Sequence, residues 1–244
     1  MDQLLIALDV DSASRALALA DSLRGLVGGF KIGSRLFTSE GPSVVRTLVE
    51  KGDRVFLDLK FHDIPNTVAQ AVAAAASMGV WMVNVHASGG RKMMEAARAA
   101  AAEAASRTPT PPPLVIAVTV LTSMDAAALA ETAGLPAPGD TPAKLRTVLD
   151  QVLRLATLAQ QAGLDGVVAS PQETAAIRQA CGDRFTIVTP GIRGGGAVAP
   201  GKDDQERTMS ATEAIAAGAN YIVVGRPIIG AADPRAAAQR IADA

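Results

Sequence analysis

Short apolar runs alternate with alanine-rich stretches along the whole chain, and this alternation constrains the fold more than any other feature. The runs fall at residues 4–10, 30–33, 55–60, 82–86, 114–121, 166–170, 186–192 and 221–228, which gives eight expected strands. Between them lie segments such as 12–26, 64–78, 92–105, 145–162 and 208–217, where Ala, Leu, Glu and Arg dominate, all good helix formers. Asp11 and Ser12 mark one helix start, and Asp63 with Pro65 marks another. The proline-rich stretch 109–113 stops a helix before the fifth strand. Eight strand–helix repeats over about 250 residues predict an α/β protein, a (β/α)8 TIM barrel occupying 1–244 as a single domain. An open, doubly wound sheet is the rival arrangement.

Composition narrows the function classes. At 244 residues and 49% hydrophobic, the chain can bury a large core. A net charge of −1, without any long Lys/Arg run, argues against nucleic acid or an anionic membrane as partner. Cys181 is the single cysteine and His62 and His86 the only histidines, which excludes a disulfide framework and a Cys- or His-rich zinc site. The first residues show no signal peptide, and no run of eighteen apolar residues exists, so a cytoplasmic protein is expected.

The chemistry-bearing residues gather where the expected strands end. They read Asp9, Lys31, Asp58 with Lys60, His86, residues 119–123, Ser170, Arg193 and Arg226. Barrel active sites lie at this end. The stretch 58–67, "DLKFHDIPNT", is the sharpest case, because Val55-Phe56-Leu57 before it reads as a buried strand. Strand alternation places Phe56, Asp58 and Lys60 on one face, so a carboxylate and an ammonium point into the barrel together. Burying charges costs several kcal/mol each unless pairing compensates, and such costs concentrate at working sites. Read without further context, Asp58–Lys60 is also compatible with a structural ion pair, Asp63 with a helix N-cap, and Arg226 with a surface charge. His86 reads as a lining histidine, His62 as turned away from Asp58 and Lys60, Cys181 as an inert thiol, and Gly89-Gly90 as a turn into the next helix.

Taken together, "LDV" at 8–10, "KIG" at 31–33, "DLKFHDIPNT" at 58–67, "VNVHASGG" at 83–90, "VTVLTS" at 118–123, "TPGIR" at 189–193 and "VVGRPI" at 223–228 carry a family resemblance. The chain resembles the bacterial type of orotidine 5′-monophosphate decarboxylase, the last enzyme of UMP biosynthesis, over nearly its whole length. The Asp-x-Lys-x-x-Asp-Ile-Pro block is the specific element. The resemblance implies loss of CO2 from C6 of the pyrimidine without metal or organic cofactor. It makes Lys60 the counter-charge and proton donor, Asp58 the carboxylate beside the substrate's own, and Lys31 and Asp63 the rest of a formally neutral array. It further implies a homodimer in which Asp63, Ile64 and Thr67 serve the partner's site. Asp9 and Lys31 match ribose contacts, and Thr122 and Ser123 match the pyrimidine-contacting loop. Gln205, Gly225 and Arg226 match the phosphate site, with Arg193 nearby. One departure is the stretch 193–205, "RGGGAVAPGKDDQ", longer than the usual phosphate loop; Lys202 is a candidate additional contact.

Two rival functions are set against this one. The sister hexulose-phosphate synthases and ketogulonate-phosphate decarboxylases share the Asp-x-Lys-x-x-Asp core but use Mg²⁺; "HDIPNT" and "VTPGIR" favour the pyrimidine enzyme. A catalytically silent barrel that only binds nucleotide phosphate is the other, and the intact Lys31, Asp58, Lys60 and Asp63 argue against it.

Overall fold

A computed structural model describes residues 1–108, 110–133, 141–193 and 209–243. Ten strands are present among them: β1 (Leu4–Ala7), β2 (Gly29–Gly33), β3 (Val55–Phe61), β4 (Met82–His86), β5 (Leu114–Val118), β6 (Gly166–Val168), β7 (Thr186–Thr189), β8 (Ile192–Arg193), β9 (Met209–Ser210) and β10 (Tyr221–Val224). Eight close into a parallel barrel in the order β1-β10-β7-β6-β5-β4-β3-β2. The two-residue strands β8 and β9 pair separately, Ile192 with Met209 and Arg193 with Ser210. The barrel is the expected one, and an open sheet is excluded by the β1–β10 pairing, Leu4 to Ile222 through Ile6 to Val224.

Strand alternation sorts the side chains into two cores. Leu4, Ile6, Phe30, Ile32, Leu57, Val83, Val85 and Ile222 belong to the large cluster packed under the helices. Their neighbours Leu5, Ala7, Phe56, Met82, Ile116, Val188 and Val223 form a second cluster, the barrel's interior. Trp81, with Tyr221 edge-on at 4.9 Å, closes the amino end of the barrel, and Arg54 lies over the Trp81 ring. Among the described residues the interior is therefore filled with apolar side chains below, and the buried charges Lys31 and Asp58 enter it toward the carboxyl ends.

Several boundaries differ from the sequence expectation, mostly at the carboxyl ends. β1 stops at Ala7, β5 at Val118, β6 at Val168, β7 at Thr189 and β10 at Val224. Apolar residues continue beyond each strand because the loops of the mouth also pack into the core under the helices: Val10, Val120 and Ile228 are buried there without strand pairing. Ile228 lies in a one-turn helix, Arg226–Ile229, where the sequence suggested more strand. Ser170 caps a 3-10 turn, Pro171–Glu173, through a reciprocal capping box with Glu173. Asp63 is not the N-cap of the helix Pro65–Ala76; Ile64 occupies that position, and Asp63 Oδ1 accepts the Ile64 amide N–H at 2.6 Å. Gly89-Gly90 forms the turn into the helix Arg91–Ala105, as expected. Among the described residues no helix is long and apolar enough to cross a membrane.

Candidate active site

The inward positions of β2, β3 and β4 build the site. On β2, Lys31 and Gly33 alternate with the outward Phe30 and Ile32, and the parallel register sets Gly33 beside Asp58 of β3. Lys31 bends past Gly33 toward the mouth: a Cβ on Gly33 would stand 3.1 Å from Lys31 Nζ and 3.3 Å from Asp9 Oδ1. The missing side chain thus makes room for an ammonium, a reason for glycine at the end of "KIG".

Four charges form an alternating chain. Asp9 Oδ1 lies 3.2 Å from Lys31 Nζ, Lys31 Nζ lies 3.4 Å from Asp58 Oδ2, and Lys60 Nζ donates to Asp58 Oδ1 at 2.6 Å. Two carboxylates and two ammoniums are formally neutral together, which lowers the cost of burying them. Lys31 and Asp58 are buried, whereas Asp9 and Lys60 reach solvent at the mouth. Burial acts to raise the Asp58 pKa. Lys31 and Lys60 outweigh it, helped by hydrogen bonds from Lys60 and Asn84, and hold the carboxyl below its ordinary value. Asp58 is therefore an anion at neutral pH despite its burial.

Lys60 does not continue the strand regularly. Its φ is +53°, and among the described residues it is the one non-glycine with positive φ. The β3–β4 register slips at this point, from Leu57 opposite Val83 to Phe61 opposite Val85. Four residues of β3 thus advance against two of β4. The simple alternation that predicted the Lys60 direction fails here, yet the side chain still returns to Asp58. A left-handed backbone at a non-glycine residue costs on the order of 1–3 kcal/mol and persists where surroundings over-determine it.

The structure brings Asp9, Lys31, Asp58 and Lys60 together but leaves Asp63 outside this chain of ion pairs. Asp63 is exposed, and Ile64 beside it is 66% exposed, unusually high for a large apolar residue. Thr67 lies exposed in the first turn of the helix that follows. Thr122 and Ser123 sit in the turn after β5, closed by Met124 N–H donating to Leu121 O. Gly225 follows β10 at the mouth, where its added Cβ would stand 3.7 Å from Asp9 Oδ2, and Arg226 opens the short helix after it. Arg193 ends β8; Gln205 and Lys202 lie outside the described residues.

His62 and His86 face each other with ring centroids 5.5 Å apart, and His62 leans over Gly89. Burial, and then His62 and Lys60 nearby, hold the His86 pKa below its ordinary value. Asn84 is a residue that sequence reasoning missed. It is fully buried on the inward face of β4, between Lys60 and Asp58. The signal was present in "VNVHASGG": an amide at an inward strand position two residues from inward Met82. Among the described residues no group of three or more His, Cys, Asp or Glu side chains is placed to hold a metal ion.

Fold and site together define a (β/α)8-barrel protein with a lysine–carboxylate relay at the carboxyl end. A match to the orotidine 5′-phosphate decarboxylase / HUMPS family spans residues 2–241, and the chain belongs to that family. It is 51% identical to an orotidine 5′-phosphate decarboxylase of Moorella thermoacetica over 99% of this chain and 91% of the other. It is 53% identical to one from Chromobacterium violaceum over 97% of this chain and 89% of the other. The crystal structure of orotidine 5′-phosphate decarboxylase from Lactobacillus acidophilus superposes with a TM-score of 0.82 at 34% identity, covering 98% of this chain and 97% of that one.

Proposed function

We propose that this chain converts orotidine 5′-monophosphate to UMP and CO2 in pyrimidine biosynthesis, with no metal or organic cofactor, as a cytoplasmic homodimer. The observation that carries the reading is the Lys60 ammonium, held 2.6 Å from a buried carboxylate by a left-handed backbone at the mouth of a packed barrel. The roughly 50% identities are to proteins named as this decarboxylase, which favours it within a family that also contains the Mg²⁺-using sister enzymes.

The chemistry follows from the charges. When the bond from C6 to the carboxyl carbon breaks, its electron pair stays on C6 in an sp² orbital that the ring cannot delocalise. A fixed cation beside C6 stabilises that pair, and preorganised charge in a water-poor site is the strongest means available. Lys60 supplies the cation and then transfers an Nζ proton to C6, leaving CO2, UMP and a neutral amine that regains its proton from solvent. Asp58 stays ionised, so it repels the substrate's carboxylate in the ground state, and departure of CO2 relieves that repulsion. Lys31 neutralises Asp58 from its other oxygen and, with Asp9, meets the ribose.

The phosphate falls to the loops after β7 and β10, the common phosphate position in these barrels, with Arg193, Gln205, Gly225 and Arg226 as its contacts and Thr122 and Ser123 at the pyrimidine. Asp63, Ile64 and Thr67 serve the partner's site. Their exposure beside the mouth supports this, because a two-fold axis there lets each turn enter the opposite barrel. The test is the fall in orotidylate absorbance with purified protein in excess EDTA. Turnover supports the reading; activity that needs Mg²⁺, or UMP binding without turnover, points to the sister enzymes or a silent barrel.

A further inference from the structure

Lys60 holds a backbone conformation that its side chain disfavours, and something must hold it there. The register slip between β3 and β4 removes the regular ladder partner over Asp58–Lys60, so the backbone N–H groups of this segment need other acceptors. Asn84 lies across the gap. Its Oδ1 accepts the Lys60 backbone N–H at 2.8 Å, and its Nδ2 donates to Asp58 Oδ1 at 2.7 Å. Lys60 Nζ reaches that same oxygen at 2.6 Å. The three contacts close a ring: Lys60 backbone, Asn84 amide, Asp58 carboxylate, Lys60 ammonium.

The geometry points to Asn84 as the positioning residue of this site: its amide replaces a missing ladder partner, holds Lys60 in the left-handed conformation, and fixes the Asp58 oxygen on which the Lys60 ammonium rests. Asn84 touches no reacting atom in this assignment; it acts through the other two. An amide suits both jobs at this position, because it presents an acceptor to a backbone N–H and a donor to a carboxylate from one planar group. A hydrophobic residue would leave the Lys60 N–H and one carboxylate lone pair buried without partners. Aspartate would keep the acceptor but set a second carboxylate against Asp58. The inference rests on the decarboxylase reading for its kinetic part and on the geometry alone for its structural part.

The test uses Asn84→Ala and Asn84→Asp in the full-length protein, with Asn220→Ala as control. Asn220 is a matched amide near the opposite end of the barrel, where Oδ1 accepts the Ile187 backbone N–H at 2.8 Å, remote from the relay. Displacing a reacting group by about 1 Å costs roughly a hundredfold. Both Asn84 variants should therefore lose kcat on that scale with UMP affinity and KM little changed, while Asn220→Ala should lose stability but not kcat. In a crystal structure of Asn84→Ala, Lys60 φ should leave the left-handed region; in Asn84→Asp, which keeps shape and acceptor, φ should stay and the Lys60–Asp58 contact should shift. Asn84 variants no slower than Asn220→Ala, or an unchanged Lys60 backbone and Lys60–Asp58 contact in Asn84→Ala, would overturn the assignment. Should Asn84→Ala not fold, Asn84→Asp decides alone: unchanged kcat overturns it. A wild-type protein inactive on orotidylate would sink the decarboxylase reading, and the Lys60 backbone comparison would still decide the role of Asn84.

Discussion

Replacing Lys31 by Met should destabilise the protein strongly at neutral pH and much less in acid. Lys31 Nζ is 3.4 Å from Asp58 Oδ2, and at an effective dielectric constant of about 20 two unit charges at that distance attract by about 5 kcal/mol. Its other partner, Asp9, has a half-exposed side chain, so that pair is worth only about 0–1 kcal/mol. Nearly all the cost therefore falls on Asp58, left buried with a reduced counter-charge, and removal of one partner from such a pair costs about 3–5 kcal/mol. The pH dependence has a definite sign. In the wild type the folded Asp58 pKa is lowered, so its contribution is present above the unfolded value and is lost as pH falls through the folded one. In Lys31→Met burial gains weight, the folded pKa rises, and the variant recovers stability as pH falls and Asp58 takes up a proton. Urea denaturation at about pH 7 and about pH 4 should show the gap between the proteins narrowing in acid. The double variant Lys31→Met/Asp58→Asn should regain much of the loss at neutral pH. A gap below about 1 kcal/mol at neutral pH, or one independent of pH without recovery in the double variant, would refute the view that Lys31 neutralises a buried charge.

Three further outcomes are expected. Arg226→Ala should raise KM for orotidylate strongly and weaken UMP binding, since under the proposed reading it removes a bidentate contact to the phosphate; equal UMP affinity in variant and wild type counts against Arg226. Mixing inactive Lys60→Ala with inactive Asp63→Ala subunits under exchange conditions should restore activity approaching half per heterodimer, because one of the two sites is then intact; no recovery despite verified exchange places Asp63 in its own subunit's site. Arg178 donates at 2.7 Å to the carbonyls of Gly182, Phe185 and Gly218 and to Asn220 Oδ1, so Arg178→Ala should cost about 2 kcal/mol or more in urea denaturation while kcat holds; a kcat loss with stability intact would contradict this.

The barrel was legible because its signal is repeated. Each short apolar run is followed by a helix former, and no local error changes the count of eight. The charged ends of β2 and β3 were legible for a related reason: Lys31, Asp58 and Lys60 are ionisable residues on otherwise apolar strands. What the sequence hid was local geometry. Period-two alternation says nothing of the register slip after Leu57, so neither the left-handed Lys60 nor the bridging role of Asn84 could be read from spacing. The same limit explains the strand ends, where buried Val10, Val120 and Ile228 look like strand but pack from loops and a short helix. Asp63 was assigned to the array through its motif; within this chain the fourth charge of the relay is Asp9, contributed by the loop after β1.

The central claim is that Lys60 is both the charge that stabilises C6 and the acid that protonates it. It is tested most directly by turnover of orotidylate by Lys60→Ala in excess EDTA, with UMP binding measured on the same sample. Enzymes draw on about 8–23 kcal/mol of transition-state stabilisation, and a central cation that is also the proton donor supplies a large share. The account predicts a loss of several orders of magnitude in kcat with UMP still bound. A Lys60→Ala protein that keeps about a tenth of wild-type turnover, a cost of only about 1.4 kcal/mol, would contradict it.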